Sequence, residues 1–165
     1  MIKKIRSFLR SIKDGIENLI IWFLIIWKDR DWDHWYLYKI LRFKLSNMEK
    51  YHRKYGHSVN SEKTADEIKL CVNLLDRLIE DNYDEMVFKK HNEKWGESHF
   101  HWDECKDKEG YCSLRITRDN VKTDKDKKQE AKEFTQCHKH EENLKKQDIE
   151  YLFKTMNKYI QGWWD

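Results

Sequence analysis

No proline occurs anywhere in this chain of 165 residues, and only five positions are glycine. Proline ends helices and marks turns, so its absence lets helices run long. Sheet-rich domains of this size ordinarily need more turn residues. The prediction is an all-α protein, a bundle of five to six helices forming a single domain over 1–165. A small hairpin-like or irregular insert is expected near residues 97–121.

Charged side chains make up 38% of the chain and aromatic ones 14%, with eight tryptophans. Disordered chains are poor in aromatics, so the charge reads as a Lys/Glu coat over large aromatic anchors. The net charge of +3 gives no general case for nucleic-acid binding. A local basic bias stands at the start, in Lys3, Lys4, Arg6, Arg10 and Lys13, and its simplest reading is a solvated helix face. Cys71 falls on an apolar stripe and reads as a small core residue. No CxxC pair and no signal peptide are evident, so reduced thiols in a cytoplasm are expected.

Ile2, Ile5, Leu9, Ile12, Ile16, Leu19, Phe23 and Ile26 recur at alternating spacings of three and four, an unbroken heptad seam. Residues 1–28 are therefore read as an N-terminal apolar helix, with Gly15 a mild weakness inside it. From Leu19 to Trp27 apolar residues surround the helix. That run rises only about 14 Å against a hydrocarbon core of about 30 Å, so no integral membrane span is expected. A helix apolar on every side needs cover on every side. Either the rest of the chain wraps it or another subunit does, making the protein a homo-oligomer. A membrane-surface helix with its basic face down is the competing reading.

Asp31 or Asp33 is placed to cap a second helix, which Gly56 ends. Ser61 or Thr64 starts a third, Thr64 with Glu67 having capping-box spacing. Ile68, Cys71, Val72, Leu75, Leu78 and Ile79 form its apolar face. A bend at residues 81–83 leads into a short fourth helix stopped by Gly96. In residues 97–121, Cys112, Leu114 and Ile116 alternate with Ser113, Arg115 and Thr117 as in a half-buried strand, with a turn around KDKEG. Residues 122–148 read as an exposed helix or partner surface. A last helix carries Ile149, Leu152, Phe153, Met156, Ile160 and Trp163, and Trp163 and Trp164 are expected in a core or interface.

The tract from Trp27 to Trp35 is the densest mixture of charge and aromatic surface. Guanidinium and ammonium groups bind phosphates, and tryptophan faces stack on bases or cations. It also lies where one helix ends and another begins, where backbone N–H groups are free for an anion. In the binding reading Lys28, Arg30 and Arg77 meet phosphates and Trp27, Trp32 and Trp95 stack, with His34 at the same corner. In the plain reading the tryptophans are core anchors, and Arg30 and Arg77 pair with neighbouring acids. His99, His101, Cys105 and Cys112 are metal-ligand types, but their spacing matches no regular zinc site. Cys137, His138 and His140 add further ligand types. No metal or other cofactor is expected. No phosphate loop, GxSxG or HExxH occurs. The pairs Asp81/Asp84 and Glu130/Glu133 leave only a weak hint of a magnesium-dependent nucleotide hydrolase.

The segments WKDRDWDHWYL, LLDRLIEDNY, HNEKWGE and LFKTMNKYIQGWWD resemble a family of small helical proteins encoded by tailed phages and related viruses. The resemblance runs from about Trp22 to Asp165. It implies a viral accessory protein made in a host cytoplasm and assigns no catalytic residue. By analogy with small phage proteins that act by binding, the leading expectation is a non-enzymatic binder of a small phosphate-bearing, nucleotide-like ligand, sequestering a host immune signal. The first alternative is a protein-interaction or virion-associated scaffold with no small ligand; the second is the hydrolase.

Overall fold

The computed structural model describes residues 2–105 and 110–164, with side chains from residue 4 onward. The order is α1 (Ile2–Trp27), α2 (His34–Tyr55), α3 (Ser61–Glu80), α4 (Tyr83–Trp95), β1 (Ser98–Glu104), β2 (Cys112–Arg118) and α5 (Asp124–Tyr159). A 3-10 turn, Ile160–Gly162, follows. The fold is all-α with a two-stranded insert, as the missing prolines predict. The expected KDKEG turn falls largely on 106–109, outside the described residues, as do Asp165 and the side chain of the seam residue Ile2.

Local signals set the helix ends. Asp33 caps α2 by accepting a hydrogen bond from the Trp35 backbone N–H at 2.9 Å. Gly56 follows α2, and Gly96 follows α4 with φ +77°. Helix α3 begins at Ser61, so Thr64 is already inside it, its N–H donating to Asn60 O at 2.9 Å. The expected capping box at Thr64 and Glu67 is therefore an interior pair. The working box is at α5, where the Asp126 N–H donates to Thr123 Oγ1 (3.1 Å) and Asp126 Oδ2 accepts from the Thr123 N–H (2.9 Å).

The charged segment 122–148 and the apolar segment after it are one continuous helix, α5, rather than two. No glycine or proline lies between Lys122 and Tyr159, so nothing stops the hydrogen-bond ladder when the composition changes. Strands β1 and β2 pair antiparallel from Ser98↔Arg118 to Glu104↔Cys112. Leu114 and Ile116 are exposed there. Their alternation with polar residues marks the pleat of a ribbon, not the half-burial expected from it.

The chain forms two compact units, Met1–Ile79 with Thr155–Asp165, and Glu80–Lys154. In the first, α3 supplies the centre. Ala65, Ile68, Cys71 and Leu75 are fully buried with Val72, Leu74 and Leu78, and Leu45 and Trp163 join them. Arg53 pairs with Glu49 on its own helix and ties α2 to α3 through Glu62 (3.0 Å) and Asp66 (2.9 Å), and Arg42 pairs with Asp76. Trp163 donates to Glu67 Oε2 at 3.4 Å, whereas Trp164 is exposed.

The second unit is more polar inside. The Tyr83 hydroxyl donates to the buried Asp148 carboxylate at 2.5 Å. Arg118, its side chain 6% exposed, sets its Nε 2.9 Å from Glu130 Oε1. Its Nη1 donates to Asn92 Oδ1 and Gly96 O. The approach of Nε to Glu130 is an ion pair without hydrogen-bond alignment. His91, also buried, holds Nε2 3.6 Å from the same carboxylate.

Candidate interaction surface

Two faces of α1 have different fates. Trp22 and Ile25 lie off the heptad seam and are half-buried. Trp22 meets Phe43 of α2 edge to face, ring centroids 5.0 Å apart. At about 100° per residue, the neighbouring seam residues Leu19, Phe23 and Ile26 all lie to one side of Trp22, about 40–100° round the helix, while Ile25 lies to the other. All seven described seam residues, Ile5 to Ile26, are exposed, from 44% at Ile12 to 70% at Leu19. Phe8, Ile20, Leu24 and Trp27 widen the apolar arc and are exposed too. Of the two covers the sequence allows, the chain's own first unit supplies one on the α2 side, through Phe43. Among the described residues no helix is long and apolar enough to cross a membrane.

The turn from α1 to α2 is tightly made. Lys28 and Asp29 N–H groups donate to Ile25 and Ile26 carbonyls, and Asp33 N–H to Arg30 O. Arg30 folds back on its neighbour, its N–H donating to Asp29 Oδ1 (2.9 Å) and its Nη1 to Asp29 O (2.6 Å). Trp27 and Trp32 are 70% and 79% exposed. Lys28 is exposed, and His34 lies with Nδ1 3.6 Å from Asp33 Oδ1. Trp35 is the anchor of this corner. Its Nε1 donates to Ile79 O at 3.1 Å, and Lys39 Nζ sits 3.2 Å from its ring centroid.

The sequence-predicted ligand residues divide accordingly. Trp27, Lys28, Arg30, Trp32 and His34 share one exposed turn. Arg77 is exposed on α3. Trp95 belongs to the other unit, 5% exposed, with Nε1 donating to Glu133 Oε2 at 2.7 Å. Lys94 and Gln129 also bond Glu133, at 2.6 and 3.0 Å. These bonds, Lys94's first, hold the Glu133 carboxyl down to about 2.

The second unit also has a cleft of about 470 Å³, lined by Asp84, Phe88, Arg118, Phe134, His138 and Lys145 among others. Its cations are engaged: Arg118 by Glu130, and Lys145 by Asp81 (2.7 Å) and Glu141 (2.9 Å). Glu130 and Glu133, one of the acidic pairs singled out in the sequence, are likewise held by Arg118 and by Lys94 with Trp95. Among the described residues no three His, Cys, Asp or Glu side chains are grouped to hold a metal. His99 Nε2 lies 2.7 Å from Asp119 Oδ1, and His101 Nε2 lies 2.8 Å from Thr117 Oγ1.

Sequence reasoning missed two residues, Trp22 and Arg118. Trp22 and Trp27 both break the heptad phase of the apolar run, so phase alone does not pick out Trp22 as the one packed inward. Arg118 carried no local signal, because its partners lie on other elements. The defining features are an all-α fold, a short β-ribbon and one outward apolar helix face. Comparison with family models, curated proteins and solved structures returns no match.

Proposed function

We propose that the protein is a non-catalytic interaction protein whose contact surface is the apolar arc of α1. One observation carries this reading: the heptad seam is continuous, exposed, and directed away from the face that Trp22 packs. Full burial of a large aliphatic side chain is worth about 1.5–3 kcal/mol. Half-exposed, each seam residue leaves roughly half of that unrealised. Monomeric proteins rarely leave so long an apolar stripe uncovered, and such stripes mark contact sites. The test is a photo-reactive amino acid placed at Leu19 in cells making the full chain. A discrete covalent adduct to protein supports the reading; adducts to lipid alone, or none, contradict it.

A second reading, a site for a small phosphate-bearing ligand, is favoured by the Trp27–His34 turn, where exposed indoles flank Arg30 and Lys28. The likeness to phage-encoded proteins fits an accessory role in a host cytoplasm, including capture of an immune signal. Calorimetry with cyclic nucleotides and ADP-ribose tests it. Saturable binding lost in Arg30→Ala and Trp32→Ala supports it, and no heat at millimolar ligand removes it.

A further inference from the structure

We infer that the occupant of the α1 seam is the α1 of a second copy of this chain, running antiparallel and in register about Asp14. The inference rests on the interaction reading above and names its partner.

Three observations select this occupant. The first is the repeat itself. A lipid surface asks only for an apolar sector, which on a straight helix follows a period of 3.6 residues. A strict seven-residue repeat drifts by about 20° per heptad on such a helix and is maintained where another helix follows it. The seam here keeps that repeat along the whole of α1.

The second is charge. Lys4, Arg6, Arg10 and Lys13 crowd the first half of α1, and its first turn holds no acid. Its second half holds Asp14 and Glu17 and no basic residue, and in the turn that follows Asp29, Asp31 and Asp33 outnumber Lys28 and Arg30. The basic start thus carries the sign that its own helix dipole disfavours. An antiparallel second helix in register about Asp14 sets residues 4–13 of one copy along residues 15–24 of the other, a stretch whose one charge is the acid Glu17, and the two dipoles oppose. A parallel pair would stack the basic halves together. An anionic bilayer would meet the acids at the α1 end.

The third is register. Heptad core positions of one type face those of the other type across an antiparallel pair. Centring the pair on Asp14 sets Ile5 opposite Phe23, Leu9 opposite Leu19, and Ile12 opposite Ile16, with Ile26 falling at the sequence position of Ile2. Parallel dimers favour leucine at the second core position. Here Ile5, Ile12 and Ile26 occupy it, with leucine only at Leu19.

The test uses the purified full chain. Ile5→Cys and Phe23→Cys proteins are mixed, mildly oxidised and mapped by mass spectrometry, alongside each alone. Crosslinks joining positions 5 and 23 in the mixture, at least ten-fold above 5–5 or 23–23 links, are expected. Dominant 5–5 and 23–23 links would overturn the antiparallel arrangement. A wild-type chain that stays monomeric in sedimentation at 100 μM overturns the second copy, as does one that binds phosphatidylglycerol vesicles as a monomer. If such a monomer still gives protein adducts at Leu19 in cells, only this inference falls; if lipid adducts alone appear, the interaction reading falls with it.

Discussion

Trp22 of α1 meets Phe43 of α2 edge to face at 5.0 Å between ring centroids, and that contact decides which side of α1 is left over. The indole takes the inward position, so every described residue of the heptad seam is turned outward. Replacing Trp22 with alanine removes an aromatic pair worth about 0.5–1.5 kcal/mol together with part of a large burial term. A loss of about 1–3 kcal/mol is expected, confined to α1. Amide exchange should show faster exchange along Ile5–Trp27 with the α3 core around Ile68 unchanged.

Gly96 closes α4 with φ +77° and ψ −173°, a region open essentially to glycine alone. A Cβ there would stand 2.7 Å from the Asp119 Cβ. Asp119 is also the residue whose carboxylate accepts from the Glu97 N–H and meets His99. Gly96→Ala should cost about 1–3 kcal/mol or more from backbone strain, read as a lowered urea midpoint for the Glu80–Lys154 unit.

Acid should weaken that unit through Glu133. Its carboxyl ordinarily titrates near 4.5 and is held down to about 2 by Lys94, Trp95 and Gln129. A folded-state value below the unfolded one gives stability that is complete above pH 4.5 and lost as pH falls towards 2. Asp103, beside Arg115, and Asp119, beside His99, are lowered as well and act in the same sense. Thermal midpoints measured from pH 7 to pH 2 should fall most steeply below 4.5. Glu133→Gln should start lower at pH 7 and fall less.

The four thiols should separate by reactivity. Burial pushes the Cys71 thiol up to about 11 and hides it inside α3, whereas Cys112 is exposed on β2. Labelling the native protein with a maleimide should modify Cys112 first and leave Cys71 untouched until the first unit unfolds. Early labelling of Cys71 would contradict the packing described for α3.

Much of this fold was legible because its signals are local. Asp33, Gly56 and Gly96 act on the backbone within a few residues, and the apolar stripe of α3 has one period from Ile68 to Leu78. The heptad seam was equally plain. What could not be read was which side of α1 the chain itself would use, because apolar residues surround its second half and only a partner at distance, Phe43, breaks the tie. The split of α5 was misplaced for a related reason. Composition changes near residue 148, but a helix ends on backbone chemistry, and no glycine or proline is there to end it. Burial of the hairpin was overstated because alternation reports the pleat whether or not anything covers it. Among the site residues, the Trp27–His34 turn was visible as one segment. That Trp95 would be spent on Glu133 depended on a residue 38 positions away.

The central claim is that the outward seam of α1 is a protein contact completed by a second copy. Leu19 is 70% exposed in the single chain, so Leu19→Lys should leave its stability within about 0.5 kcal/mol, as for other surface substitutions. Sedimentation equilibrium across a micromolar concentration series, on wild type and Leu19→Lys, tests the claim most directly. The expected result is an associating wild type and a variant at least ten-fold weaker in self-association, with equal thermal midpoints at dilutions where both are monomeric. A wild type that remains a monomer throughout, indistinguishable from the variant, would contradict the account.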